Sequence, residues 1–192
     1  MRLAMLGGSF NPPHIGHLVL AEEVLVECGY DRIVFVPAFM PPHKLPARDP
    51  GPQLRTAMLW AAIKHDARFM LETCEMDRKG ISYTIDTLCW LRNRYNPDGK
   101  IGLIIGDDLA GDFLTTWRDP EAILKEADII VAHRTTTSRP ELSFEYRPLN
   151  NLLLPISSTL VRERIESGGA WRYLVPPAVR EIIEHHGLYR IA

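Results

Sequence analysis

Short apolar runs alternate along this chain with longer segments of helical pattern, and this alternation restricts the fold more than any other feature. The apolar runs are continuous, which is typical of strands that are buried on both faces of a sheet. They predict strands at 3–6, 33–36, 69–74, 101–105, 129–132 and 152–154. Helices are predicted from the other segments at 16–28, 53–64, 84–95, 120–127, 158–167 and 177–186.

This repeated strand–helix order predicts an α/β fold, with a doubly wound parallel sheet covered by helices on both faces. The last two helices then form a small C-terminal helical part. No linker or internal repeat divides the 192 residues, so we expect residues 1–192 to form a single domain. Ligands of such sheets bind beyond the carboxyl ends of the strands, and functional residues are therefore expected in the loops that follow the strands.

Composition excludes several kinds of partner. The net charge of −2 gives no broad basic surface, so we expect no nucleic acid as partner. The 3 cysteines are odd in number and lack C-x-x-C spacing, which argues against a disulfide framework or a zinc site and for a reducing compartment. No apolar run reaches the length of a signal peptide or a membrane span, so we expect a cytoplasmic protein that does not contact membranes.

The loop after the first predicted strand combines a glycine turn with two imidazoles. Gly7 and Gly8 let the backbone come close to a ligand, because no side chain stands in the way. The next helix begins near His14, and a helix N-terminus attracts anions through its N–H groups and its dipole. His14 and His17 are three residues apart and share one helix face, with Gly16 between them keeping one side of the turn open. The combination indicates a phosphate site.

Two common phosphate-binding loops do not fit this segment. The G-x-G-x-x-G spacing of a Rossmann dinucleotide site is absent from it. A Walker loop is excluded as well, because no G-K-[ST] follows the glycines. The predicted phosphate site therefore belongs to a different class of protein.

A second candidate cluster runs from Ile156 to Arg162, after the last predicted strand and at the start of a helix. The hydroxyl groups of Ser157, Ser158 and Thr159 can cap that helix or bind an anion. Ser158 and Arg162 are four residues apart and face the same way, and the arginine can hold phosphate oxygens in a forked manner. Alone, the cluster also fits an ordinary helix cap beside a solvated arginine.

Together the two clusters resemble the nucleotidyltransferase superfamily, whose signatures are H-x-G-H and I-S-S-T-x-x-R. This chain carries the first at 14–17 and the second at 156–162, near opposite ends. Class I aminoacyl-tRNA synthetases also carry the first signature. They need in addition a K-M-S-K-S-type loop and an RNA-binding appendage, and this sequence has neither.

Over nearly its full length the chain is similar to bacterial nicotinate mononucleotide adenylyltransferases. The matching segments are 41–44, 82–87, 105–108, Trp117 and 187–190. Two departures lie in the first loop, where the family usually has Thr and Asp in place of Ser9 and Asn11. A third is the lack of the glycine that often follows Arg134 in the family, so the loop on the adenine side is expected to differ in shape.

The resemblance implies a role for each site residue. The implied catalytic residues are His14, His17 and Arg162. The implied ATP-binding residues are Gly7, Gly8, Ser9, Phe10, His14, His17, Gly106, Asp108, Arg134, Ile156, Ser157, Ser158, Thr159 and Arg162. The implied mononucleotide-binding residues are Asn11, Lys44, Tyr83, Thr84, Asp108 and Trp117. No residue is assigned to a metal, and Mg²⁺ is expected to enter with ATP, bound largely by phosphates and water.

The implied reaction transfers AMP from ATP to nicotinate mononucleotide and gives nicotinate adenine dinucleotide and pyrophosphate, a step of NAD biosynthesis. ATP and nicotinate mononucleotide are then the partners, and a homo-oligomer stays open. Two other functions also stay open. One is an adenylyl- or cytidylyltransferase that uses another phosphate acceptor, such as phosphopantetheine or glycerol 3-phosphate. The other is a nucleotide-binding sensor without turnover, which would have no need of His14, His17 and Arg162 together.

Overall fold

A computed structural model describes residues 1–40, 49–133 and 141–190 of the chain. Its strands are β1 (Leu3–Gly8), β2 (Arg32–Pro37), β3 (Phe69–Leu71), β4 (Ile101–Gly106), β5 (Ala127–Ala132) and β6 (Arg147–Pro148). Its helices are α1 (Ile15–Cys28), α2 (Pro52–Ile63), α3 (Cys74–Arg78), α4 (Thr84–Tyr95), α5 (Asp107–Ala110), α6 (Phe113–Thr116), α7 (Pro120–Glu126), α8 (Ser158–Glu166) and α9 (Pro177–His185). Each predicted helix is found, with ends that agree to within one residue.

The described strands form one parallel sheet in the order β3-β2-β1-β4-β5-β6. Because β1 lies between β2 and β4, the order of the strands reverses at β1. Ligands of open α/β sheets bind at such a reversal, beyond the carboxyl ends of the strands. The predicted α/β class with a doubly wound parallel sheet is confirmed.

The sheet is buried on both faces, which explains why its strands are continuous apolar runs. Successive side chains of a strand point to opposite faces. Leu3 and Met5 of β1 thus join one buried cluster, which includes Leu88 of α4 and Ile123 of α7. Ala4 and Leu6 join a second cluster, in which they pack with residues of α1 and α2.

The C-terminal helices form a third buried cluster around Trp171. Val161 of α8 and Val179 of α9 pack there against Met58 of α2. The N–H of Ile15, the first residue of α1, donates to the carbonyl oxygen of Leu174 at 2.9 Å. These contacts bring the start of α8 next to the start of α1, although the two lie far apart in the sequence.

Four of the predicted strands agree with the structure to within two residues at each end, and the other two differ more. The third ends at Leu71, because Cys74 already begins α3. The strand predicted at 152–154 is wrong, and the sixth strand of the sheet is the short β6 before it. Leu152 is 60% exposed, so this apolar run is not a buried strand.

Asn151 explains why pairing stops before 152–154. The N–H of Leu149 still donates to the carbonyl oxygen of Val131 at 2.9 Å, which continues the pairing with β5. Two residues later the Asn151 side chain accepts from the N–H of His133 at 2.7 Å and donates to its carbonyl oxygen at 2.9 Å. The amide thus occupies the backbone groups that a further strand would need.

The short helices α3, α5 and α6 are absent from the sequence prediction. Each has only four or five residues, too few for an apolar period to be visible. Across residues 1–40, 49–133 and 141–190, no helix has the length and apolar character needed to cross a membrane.

Candidate active site

A cavity of about 1080 Å³ opens at the carboxyl ends of β1, β2, β4 and β5, at the reversal of strand order. Its walls include Gly7 and Gly8 from β1, Gly106 from β4 and the start of α8. Ligand pockets commonly enclose roughly 300–1,000 Å³. The cavity therefore lies at the upper end of this range.

The loop after β1 forms the floor of this cavity. Gly8 lies against the buried ring of Phe10, and a Cβ atom there would lie 3.4 Å from Cζ, an ordinary van der Waals contact. Phe10 has a φ of 47° and packs edge-on against His17, with 5.0 Å between the ring centroids. The loop thus turns sharply and holds one face of the His17 imidazole.

His14 and His17 lie at the N-terminus of α1, where the sequence places them. Their rings are stacked, with 3.7 Å between centroids. The backbone N–H of His14 donates to Nδ1 of His17 at 3.1 Å, so a neutral His17 carries its proton on Nε2. His14 is 4% exposed, and both residues line the cavity. The pair thus lies where the helix N-terminus meets the cavity, and a helix start of this kind suits an anion.

Gly16 is required by the position of the His14 ring. A Cβ atom at this residue would lie 3.1 Å from Nδ1 of His14 and 3.2 Å from Cε1. Contacts that short force the ring to move. The glycine in the H-x-G-H signature therefore fixes the place of the first histidine.

Gly16→Ala is expected to lower kcat/KM about 10-fold, because a small displacement of a positioned group is costly. Alanine favours a helix over glycine, so the free energy of unfolding should stay within about 1 kcal/mol of the native value. Steady-state kinetics and thermal unfolding measure the two effects. Gly111→Ala is the control, since a Cβ atom there meets nothing within 4 Å. Native activity in Gly16→Ala would contradict this role of the glycine.

The start of α8 is bonded to the loop after β1. Oγ of Ser158 donates to the carbonyl oxygen of Pro12 at 2.8 Å. Nη1 of Arg162 donates to the carbonyl oxygen of Asn11 at 2.7 Å, and its Nη2 donates to Oγ1 of Thr159 at 3.1 Å. Ser158 and Arg162 therefore face the same way, and the two motif segments meet at the cavity.

The side chain of Asn11 is turned towards the C-terminal cluster. Its Oδ1 accepts a hydrogen bond of 2.7 Å from the hydroxyl of Tyr189. Both residues are buried, and burial raises the pKa of Tyr189, so this phenol stays a donor. Within the matched tail at 187–190, Tyr189 thus anchors the loop that carries the histidines.

The far side of the cavity holds three of the residues predicted for the mononucleotide, Tyr83, Thr84 and Trp117. Tyr83 is the N-cap of α4 and Thr84 is its first residue, so backbone N–H groups of a helix start lie there. Trp117 follows α6 and packs on Phe113, with 5.1 Å between ring centroids. Cζ of Arg118 lies 4.4 Å from the Tyr83 ring centroid and adds positive charge to this end.

An acidic residue and a histidine lie behind the ends of β4 and β5. Oδ2 of Asp107 lies 3.7 Å from Nδ1 of His133, and both side chains are buried. Asp108, next in the chain, lines the cavity together with His133 and Asn151. The placement of Asp108 at the end of β4 matches its predicted place at the ligand edge of the sheet.

The structure brings almost all the predicted site residues to this one cavity. Those that line it are Gly7, Gly8, Ser9, Phe10, Asn11, His14, His17, Tyr83, Thr84, Gly106, Asp108, Trp117, Ile156, Ser157, Ser158, Thr159 and Arg162. Lys44 and Arg134 lie outside the described residues.

The sequence reasoning missed two other acidic groups that line the cavity, Asp49 and Glu75. Burial raises the pKa of Glu75, whereas hydrogen bonds from Ser82 and Thr87 lower it. Oγ1 of Thr87 donates to Oε1 of Glu75 at 2.6 Å. Glu75 lies on the short helix α3, which shows no apolar period, and no motif marks it.

Comparison with known proteins places the chain in a family. Residues 5–164 match the model of the cytidylyltransferase-like family. A probable nicotinate-nucleotide adenylyltransferase of Borrelia garinii subsp. bavariensis is 39% identical over 189 residues, which are 98% of this chain and 95% of that protein. One of Treponema pallidum subsp. pallidum is 38% identical over 204 residues, covering 99% of this chain and all of that protein (100%).

Solved structures show the same fold. The nicotinic acid mononucleotide adenylyltransferase of Plasmodium falciparum, in complex with NaAD, superimposes with a TM-score of 0.77 at 18% identity and covers 98% of this chain and 97% of that one. A putative nicotinate-nucleotide adenylyltransferase of Vibrio parahaemolyticus gives a TM-score of 0.69 at 20% identity, over 96% of this chain and 99% of that one. The chain belongs to the cytidylyltransferase-like family and, within it, to the nicotinate-nucleotide adenylyltransferases.

Proposed function

We propose that the chain transfers the AMP part of ATP to nicotinate mononucleotide, giving nicotinate adenine dinucleotide and pyrophosphate. One observation carries this proposal. The H-x-G-H segment and the I-S-S-T-x-x-R segment come from opposite ends of the chain, yet both line one cavity. Ser158 and Arg162 bond there to the carbonyl oxygens of Pro12 and Asn11, in the loop that leads directly into the H-x-G-H segment. The relatives from Borrelia and Treponema are probable nicotinate-nucleotide adenylyltransferases, and we therefore choose nicotinate mononucleotide as the acceptor.

In this reaction a phosphate oxygen of the mononucleotide attacks the α-phosphorus of ATP in line, and pyrophosphate leaves. The nucleophile is already an anion, so no strong general base is needed. Positioning and stabilisation of the charge on the phosphates then provide most of the rate. We assign the ATP phosphates to His14 and His17, with His17 nearest the α-phosphorus, and the leaving pyrophosphate to Arg162 and the N-terminus of α8.

Mg²⁺ would enter this site bound to ATP. Within the part of the chain that the structure describes, no three His, Cys, Asp or Glu side chains come together as a group that could hold a metal ion. Mg²⁺ keeps several waters and prefers phosphate oxygens to an all-protein cage. In our proposal it neutralises phosphate charge, while the histidines and Arg162 orient the phosphates.

The test is a pyrophosphate-release assay with ATP and a panel of phosphate acceptors. We expect nicotinate mononucleotide to give the highest kcat/KM, and the product to have the mass of nicotinate adenine dinucleotide. Faster turnover of phosphopantetheine or glycerol 3-phosphate would identify a transferase with another acceptor. Tight ATP binding without release of pyrophosphate would identify a nucleotide sensor.

The end of the cavity at α4 predicts a preference for nicotinate over nicotinamide. Backbone N–H groups at Thr84 and the positive charge of Arg118 attract a carboxylate more than a neutral amide. An amide would also turn its own N–H donors towards those N–H groups. We expect kcat/KM for nicotinate mononucleotide to exceed that for nicotinamide mononucleotide at least ~10²-fold.

Both kcat/KM values are to be measured on one enzyme preparation with saturating ATP. Thr84→Ala should reduce the preference only in part, since the donors belong to the main chain. Equal kcat/KM values for the two mononucleotides would mean a dual-specificity enzyme. They would also remove the reason for placing a carboxylate at the start of α4.

A further inference from the structure

Arg55 is a completely buried cation in α2, with 0% of its surface exposed. A charged group is stable in such a place only when it is paired and its hydrogen bonds are made. Nε of Arg55 donates to Oδ1 of Asp49 at 2.9 Å, and this is the ion pair. Its other hydrogen bonds go to backbone carbonyl oxygens, which makes it unlike a surface arginine.

Those carbonyl oxygens belong to two different loops. Nη1 donates to Ser9 at 2.8 Å, in the loop after β1, and to Ala38 at 2.7 Å, in the loop after β2. Nη2 donates to Phe39 at 3.0 Å, also after β2. One rigid guanidinium therefore bridges the two loops and, through Asp49, the segment that leads into α2.

The loop after β2 continues the connection to the far side of the cavity. The N–H of Phe39 donates to Oγ of Ser82 at 3.1 Å, and the N–H of Ser82 donates to the carbonyl oxygen of Met40 at 3.1 Å. Ser82 directly precedes Tyr83 and Thr84, the start of α4. A chain of hydrogen bonds thus runs from the floor of the phosphate site, through Arg55, to the proposed acceptor end.

We propose that Arg55 is a positioning residue that sets the distance between the ATP side and the acceptor side of the cavity. Arg55 does not itself line the cavity, so it acts through the loops it holds. This inference rests on the proposed function, because in-line transfer needs the two substrates aligned. Loss of the guanidinium should disturb that alignment more than it disturbs the binding of either substrate alone.

Lysine cannot replace this side chain. An ammonium is a compact charge without the planar fork that reaches acceptors in several directions. Arg55→Lys would therefore keep the charge beside Asp49 but give up part of the bridge between Ser9, Ala38 and Phe39. We expect kcat to fall about 10²-fold in Arg55→Lys, the cost of a misplacement of roughly 1 Å.

Asp49→Ala gives a second variant that keeps the guanidinium and its three carbonyl bonds. Removal of the counter-charge should loosen the bridge, with an expected fall in kcat of about 10-fold. Asp66→Ala is the matched control. Oδ1 of Asp66 accepts from the N–H of Arg68 at 2.9 Å and from its Nε at 3.0 Å, as Oδ1 of Asp49 accepts from Gly51 and Arg55. The Asp66 pair is exposed and does not line the cavity, so its loss should leave kcat unchanged.

The experiment measures three quantities on each full-length variant. These are kcat per folded molecule, the Kd of a non-hydrolysable ATP analogue without acceptor, and hydrogen exchange of peptides that cover 8–11 and 38–40. We expect the Kd to change less than about 3-fold, while exchange in both peptides accelerates at least ~10-fold. A purely structural role would lower the folded fraction and leave kcat per folded molecule as it is.

Failures of the two proposals can be told apart. A native enzyme that does not use nicotinate mononucleotide refutes the proposed function, and exchange at 8–11 and 38–40 still decides whether Arg55 holds the two loops. If the native enzyme is active, the Asp49→Ala variant decides. The inference is overturned when this variant keeps the native kcat and the native rate of hydrogen exchange in both peptides. Faster hydrogen exchange with an unchanged kcat in the variants would mean that Arg55 is only a structural bridge, and that result would also overturn the inference.

Discussion

Replacing His17 by alanine is expected to lower kcat about 10²–10³-fold, the usual scale for removal of one preorganised transition-state donor. The structure gives the reason. Nδ1 of His17 accepts from the N–H of His14, and Phe10 supports the ring, so the proton of the neutral imidazole lies on Nε2 in a fixed orientation. A donor held in this way needs little reorganisation when charge develops on the α-phosphoryl group.

The fold of His17→Ala should be nearly unchanged, since the loss is one hydrogen bond at a helix start, worth about 1 kcal/mol. Single-turnover kinetics with saturating ATP and nicotinate mononucleotide measure the chemical step, and thermal unfolding measures stability. His65→Ala is the control, because His65 is an exposed residue after α2. Near-native turnover by pure His17→Ala would remove His17 from the reaction.

Much of the fold can be predicted from the sequence because the strands are buried on both faces. Such strands appear as apolar runs whatever they pair with, and the order of runs and helices then gives the parallel sheet. The prediction fails where one side chain redirects the backbone. Asn151 occupies the backbone groups of His133, and the leucines that follow it lie outside the sheet.

The family, too, is evident from the sequence, and its prediction is confirmed by relatives that span nearly the whole chain. The roles of the individual site residues stay proposals, although the structure brings the described ones to one cavity. The histidines at the start of α1 and the hydroxyl groups at the start of α8 can be predicted from the sequence, because they lie within short motifs of fixed spacing.

Arg55 and Tyr189 show what the sequence hides. Arg55 bonds to backbone carbonyl oxygens, which every residue has, so its partners leave no pattern in the sequence. Tyr189 bonds to Asn11, 178 residues away along the chain. Asn11 also replaces the aspartate that is usual in the family, and only the fold shows that its side-chain oxygen meets a tyrosine hydroxyl. Such contacts depend on how whole elements pack, and short-range patterns cannot predict them.

Replacing Arg162 by lysine is expected to lower kcat/KM for ATP about 10–10²-fold, even though the charge is kept. The guanidinium is fixed by its bonds to the carbonyl oxygen of Asn11 and to Oγ1 of Thr159, and its planar fork can hold two phosphate oxygens at once. Lysine offers a single point of charge. Hydrogen bonds to charged groups contribute about 1.5–3 kcal/mol, and each 1.36 kcal/mol is a factor of ten in rate.

A comparison of ATP and AMP binding identifies the phosphates that Arg162 contacts. If Arg162 binds the β- and γ-phosphates, native enzyme must bind ATP more tightly than AMP, and Arg162→Lys must narrow that difference by weakening ATP binding alone. Calorimetric titration of both nucleotides measures it. Arg164→Lys is the matched control, because Arg164 lies on the same helix and donates to the carbonyl oxygen of Ala170 at 2.8 Å, away from the cavity. Equal affinity of native enzyme for ATP and AMP, together with full activity of Arg162→Lys, would exclude Arg162 from holding the leaving pyrophosphate.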